Sequence, residues 1–229
     1  MKYAREHVKR YWAFSYRRAL GVAMVTFALA LAIGITFSSM LQAFNIVNYP
    51  VQAIFWVVLT ALTILVLIVN FVQAHISSVR YMDEEEHRHH YRHMGAWVAV
   101  LAFSALAFMV PAFYFSSYLE PLTLMFSFGG ILWISYISVA AIFKHYYHEI
   151  AVGAAVLWAV FGISLFSTYN SSPYADLGAF SLFISILTLI VTFGAVGITM
   201  LSNSTKAFME EFEASIPRGR PGRAARRRR

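Results

Sequence analysis

The sequence predicts an all-α, polytopic integral membrane helical bundle of six transmembrane helices with N- and C-termini cytoplasmic, and three observations carry that prediction. The first is composition: 59% of the 229 residues are hydrophobic and 13% are charged, against roughly 25% charged in an ordinary soluble domain. The second is the length of the apolar runs, each near the ~20 residues that a helix needs to cross about 30 Å of hydrocarbon. Because the runs are continuous rather than alternating, a barrel is disfavoured. The third is charge placement. All 18 Lys and Arg lie before the first run or after the second, fourth and sixth, which puts every one of them on the same side. By the positive-inside rule that side is the cytoplasm and the number of crossings is even.

Residues 1–18 form a basic and aromatic segment, with Lys2, Arg5, Lys9, Arg10, Arg17 and Arg18 interleaved with Tyr11, Trp12, Phe14 and Tyr16. This pattern belongs at the headgroup layer and is expected as a short interfacial helix. The membrane domain, 19–203, then holds spans at about 19–41, 51–74, 95–115, 122–143, 150–168 and 177–201. Asn45, Asn48 and Pro50 supply a turn and a helix start between the first two. Pro111 is expected to bend the third, since proline removes a backbone donor and crowds the preceding turn. Glu120-Pro121 opens the fourth. The outer turns Phe37–Leu41, Phe115–Leu119 and Asn170–Tyr174 share a Ser-Ser step, which suggests three repeated hairpins. Residues 204–229 are a basic cytoplasmic tail that cannot bury a core and is expected to be disordered.

The chain has no cysteine, which excludes disulfides, thiolate metal sites and CxxC redox chemistry. No P-loop, dinucleotide fingerprint, nucleophile elbow or HExxH is present. Nucleic acid is an unlikely partner, because the arginine-rich tail has no aromatic residue to stack bases. Expected partners are the lipid bilayer, anionic headgroups held by the tail, and a second copy or other subunits of a membrane complex. The localisation expected is the cell membrane, as a multi-pass protein.

Chemistry concentrates in Asp83–His93, which packs four acids, four histidines and two arginines into eleven positions. If Asp83 caps a helix, Glu84, Glu85 and Glu86 fill its favoured first turn. Glu86, His90 and His93 then share a face at i, i+4 and i+7, with His89 beside them. His145, His148 and Glu149 sit at the same membrane level, and His75 ends the second span. Imidazole with carboxylate suits a divalent transition metal such as Zn, Fe, Mn or Cu, so Glu86, His89, His90, His93, His145, His148 and Glu149 are candidate metal ligands. The same residues serve equally as a solvated helix start laced by i+4 pairs.

No Asp, Glu, Lys, Arg or His falls in the middle third of any span, which argues against a proton-driven carrier. Neutral polar residues do align: Ser181, Ser185, Thr188, Thr192 and Thr199 on the sixth span, and Thr60, Thr63 and Asn70 on the second. Such lines are either close-packing seams or a hydroxyl-lined path. The function expected is a channel-like or complex-forming membrane subunit whose His and acid face binds metal or senses pH. A membrane-embedded metal-dependent oxidoreductase acting on lipid is the alternative, and a purely structural subunit is a third reading.

Overall fold

The computed structural model describes the backbone of residues 2–44, 49–79, 82, 84–114, 116–170 and 177–215, and the side chains of 13–44, 50–79, 82, 84–108, 110, 123–166, 183–207 and 209. Six helices follow one another: α1 (Lys2–Ala43), α2 (Tyr49–Val79), α3 (Glu84–Tyr114), α4 (Ser116–Phe143), α5 (His148–Asn170) and α6 (Leu177–Ser215). No strand occurs among the described residues. Five of the six are long and apolar enough to cross a membrane, within Ala13–Ala43, Pro50–Val79, Thr123–Phe143, His148–Phe166 and Phe183–Ala207. For α3, expected to cross at 95–115, the helix continues to Tyr114 and its apolar part reaches past the last described side chains.

Two helices are longer than the sequence reading gave them. The basic segment expected as a separate interfacial helix is instead the opening turns of α1, a single helix of 42 residues. No glycine precedes Gly21 and no proline precedes Pro50, so nothing in the backbone interrupts propagation. At 1.5 Å per residue α1 is roughly 60 Å long, about twice the hydrocarbon thickness. Likewise α6 runs past Leu201 to Ser215, stopping where the approaching Pro217 restricts the residue before it. Residues 216–229 of the expected tail lie outside the described residues, as do Asp83, Asn45 and Asn48. Phe37–Leu41, expected as an outer turn, is helical within α1, and 116–119 of the second expected turn are helical within α4; Phe115 and 171–174 lie outside the described residues. The α3 helix runs through Pro111, whose side chain is outside the described residues.

The long helices α1 and α6 form the most extensive pair. They cross at Gly21 and Gly197, where a Cβ on Gly197 would stand 2.7 Å from the Gly21 carbonyl oxygen. Only glycine permits backbones that close. Against this pair, α4 packs on α3, α5 and α6, and α5 packs on α6. The core is built by Met24 and Ala28 of α1, Met125, Leu132 and Val139 of α4, Ile150, Ala154 and Leu157 of α5, and Leu189, Phe193, Val196 and Met200 of α6. Phe27, Phe128 and Phe193 interlock three of these helices at ring separations of 4.9–5.7 Å.

By contrast α2 lies along α1 with no buried residue in its most apolar stretch. No comparable backbone packing joins α2 to α3 among the described residues. These two helices meet through side chains near the cationic end of the bundle, the end assigned to the cytoplasm.

The two polar lines do not face each other. Ser185 and Thr192 of α6 are buried and Thr188 is half-buried, as in a packing seam. On the same helix Thr199 is exposed and donates to Ala195 O at 2.8 Å. On α2, Thr63 and Asn70 donate to Leu59 O and Val66 O, both at 2.8 Å, and Thr60 is exposed. Such back-bonding satisfies a hydroxyl or amide within its own helix. Among the described residues α2 and α6 have no extensive backbone packing on each other. The Ser181 side chain is outside the described residues.

Candidate functional site

The cationic end of the bundle holds two polar assemblies joined through neighbouring residues of α1. The first is centred on His75, four residues before the end of α2. Its Nδ1 is 3.2 Å from the Tyr16 hydroxyl of α1, and its Nε2 is 3.1 Å from the Tyr91 hydroxyl of α3. A neutral imidazole donates from one nitrogen and accepts at the other, so one tyrosine donates to it and the other accepts. His90, from α3, stacks on the same ring with centroids 5.5 Å apart and planes at 17°. Tyr16 flanks His90 at 6.1 Å, and His87 stacks on Tyr91 at 4.8 Å. Three helices thus meet in one set of rings.

His90 is 5% exposed. Burial, reinforced by His75, His87 and His93, lowers its pKa to about 4. At neutral pH it is therefore an uncharged ring, which is the form that tolerates another imidazole against its face. His93 is also lowered, first by burial and then by His89 and Arg92.

The second assembly is centred on Glu149 in the first turn of α5. Arg17 Nη2 of α1 donates to Glu149 Oε1, and Asn203 Nδ2 of α6 donates to the same oxygen at 2.5 Å. With side chains 24% and 10% exposed, this ion pair is largely removed from solvent. The Arg17 guanidinium also lies over the Tyr147 ring at 5.7 Å, a cation–π contact. Tyr147 is buried and donates to Ala13 O at 2.9 Å. Its phenol pKa is raised, chiefly by burial, so it stays a donor. The connection that carries Tyr147 begins at Lys144, whose φ of 56° ends α4 in the left-handed region.

The seven expected metal ligands are thus distributed among different tasks. Glu149 is engaged by Arg17 and Asn203. His90 turns into the α1–α2–α3 junction, away from His93, whose ring meets His89 at 4.2 Å on the same helix. His145 is held against Tyr147 in the α4–α5 connection, with rings 6.4 Å apart, and burial lowers its pKa. His148 is exposed, its Nδ1 3.5 Å from the Tyr136 hydroxyl. Glu86 and His89 border a shallow surface hollow with Glu85, Arg88 and Arg92. Among the described residues no three His or acid side chains are gathered so that they could hold a metal ion.

Sequence reasoning missed Tyr16, Tyr91, Arg17, Asn203 and Tyr147 as site residues. Tyr16 and Arg17 read naturally as a headgroup belt, and the signal that singles them out is their position at the entry of the first apolar run, level with His75 and His145. Searches against protein-family models, curated proteins and solved structures found no match to this chain.

Proposed function

We propose that this chain is a multi-pass subunit of the cell membrane whose cytoplasmic histidine face responds to acidification, with the His75–His90 contact as the link that protonation opens. The observation that carries this reading is the face-to-face packing of His75 and His90 across α2 and α3, two helices with no extensive backbone packing on each other among the described residues. Groups facing His90 include Tyr16 from α1, His75 from α2, and His87, Tyr91 and His93 from its own helix. Burial and the neighbouring imidazoles His75, His87 and His93 all oppose an added proton. Two imidazolium rings 5.5 Å apart repel, and each additional charge also loses hydration in a buried site. Relief comes from separating α2 from α3, which share no extensive backbone packing among the described residues. Metal is not needed for this response.

The absence of native cysteine makes the test direct. Spin labels on Leu65→Cys and Phe103→Cys, both exposed positions on α2 and α3, report the separation of the two helices in lipid nanodiscs. The expected outcome is a longer distance on going from neutral pH to about pH 5, the range in which histidines act as switches. In His90→Phe, which keeps a flat ring without a proton site, the distance stays short at both pH values. An unchanged distance in the parent, or an equal change in His90→Phe, rules the latch out.

A further inference from the structure

Along α2, Leu59, Thr63, Val66, Asn70, Gln73 and Ser77 follow one another at steps of four, three, four, three and four residues. That alternation is the spacing of a coiled-coil seam, which keeps every member on one line of a left-handed helix pair. The neighbouring helices leave this line open. Ala74 and Ser78 are buried, and Ala74 O accepts from Ser15 of α1. Phe71 and His75 turn toward α3, where they meet Trp97 and His90. The seam follows the flank of α2 that points away from α3, and its members are half-buried or exposed, Val66 at 39%.

Two carboxamides stand on this flank, inside the span expected at 51–74. Asparagine carries two N–H donors and an oxygen acceptor. Asn70 Nδ2 donates to Val66 O at 2.8 Å, which engages one of those donors. Gln73, three residues on, is exposed. In a span, where water is scarce, such groups gain most from a protein partner.

We infer that this seam joins α2 to the α2 of a second copy of the chain, in a parallel pair with Asn70 against Asn70 and Gln73 against Gln73. Two constraints select that occupant. Copies of one chain insert in the same orientation, so a two-fold axis normal to the bilayer sets their α2 helices parallel and in register. A carboxamide is both donor and acceptor, so it satisfies its own image across such an axis. Polar layers in an otherwise apolar seam also fix register, as a buried asparagine does in coiled coils. This pairing and the His75–His90 response occupy different flanks of α2, and each stands or falls without the other.

The chain's lack of cysteine allows disulfide mapping of the full chain in phosphatidylcholine vesicles at neutral pH. Val66→Cys, on the seam, should give a covalent dimer on oxidation. Ile68→Cys, 54% exposed but off the seam, should not. Dimer affinity is then followed by energy transfer between C-terminal fluorophores as added lipid dilutes the protein. Asn70→Leu combined with Gln73→Leu should raise the dissociation constant roughly three- to twentyfold, the worth of one interhelical hydrogen bond in a membrane. An unchanged thermal transition shows that the variant is folded. Equal cross-linking at 66 and 68 overturns the inference. So does an unchanged dissociation constant in the folded double variant, or a parent chain that is monomeric at every dilution.

Discussion

The two assemblies at the cationic end use neighbouring residues of α1, Tyr16 and Arg17, to opposite effect. Around Glu149, unlike charges and an amide donor tie α1, α5 and α6 together. Around His75, uncharged rings and hydroxyls tie α1, α2 and α3 together, and in the response we propose protonation loosens them. Acidification to about pH 5 leaves a carboxylate paired with arginine largely intact, but it adds protons to imidazoles. One joint is fixed and the other is conditional, and the conditional one holds the helices that have least packing of their own.

Removing the fixed joint should have the largest effect. Glu149→Ala leaves Arg17 in a mostly buried site without its anion, a loss of about 3 kcal/mol, visible as a lowered thermal transition in detergent. The double change Arg17→Met with Glu149→Met should recover much of it, since an apolar pair carries no stranded charge. Next is the crossing that supports both joints. Gly197→Val drives a side chain into the Gly21 carbonyl oxygen and should cost about 2 kcal/mol by the same measurement.

The conditional joint has a pH signature with a defined sign. The folded-state pKa of His90 lies below the ordinary histidine value of 6.5, so the unfolded chain binds the proton more readily. Its contribution is fully present above about pH 6.5 and is lost as pH falls through that value toward about 4. A loss on the order of 1–2 kcal/mol by about pH 5 is expected, and His90→Phe should flatten that part of the stability–pH curve while leaving Glu149→Ala as damaging as before. The smallest effect expected is at Lys144. Replacing it with glycine relieves a left-handed backbone and should raise stability by about 0.5–1 kcal/mol, without altering the pH dependence.

Much of the fold was legible because bilayer crossing imposes a length and a hydropathy that single residues obey. The helix assignments at 51–74, 122–143 and 150–168 fall inside α2, α4 and α5. Helix ends were harder. Lys2–Arg18 looked interfacial by composition, yet continuity of α1 depends on the absence of a breaker rather than on which residues it contains. The hydroxyl lines of α2 and α6 looked equivalent at helical spacing, although one turns to neighbouring helices and the other outward. Periodicity shows that residues share a face and leaves open what that face meets.

The candidate site divides in the same way. His90 and His93 lie three positions apart, close enough to read as one ligand set, but the junction with α1 and α2 takes one of them and leaves the other paired with His89. Glu149 looked like a ligand beside His148 until α1 and α6 supplied Arg17 and Asn203 from far along the chain.

By itself, the sequence determined a cysteine-free helical membrane bundle, because apolar runs of bilayer length must cross hydrocarbon and charged side chains must stay out of it. Tertiary structure decided which of its histidines touch and which carboxylate is already paired. Those outcomes depend on side chains from different helices arriving within hydrogen-bond and ring-contact distance, and no spacing along a single helix encodes that.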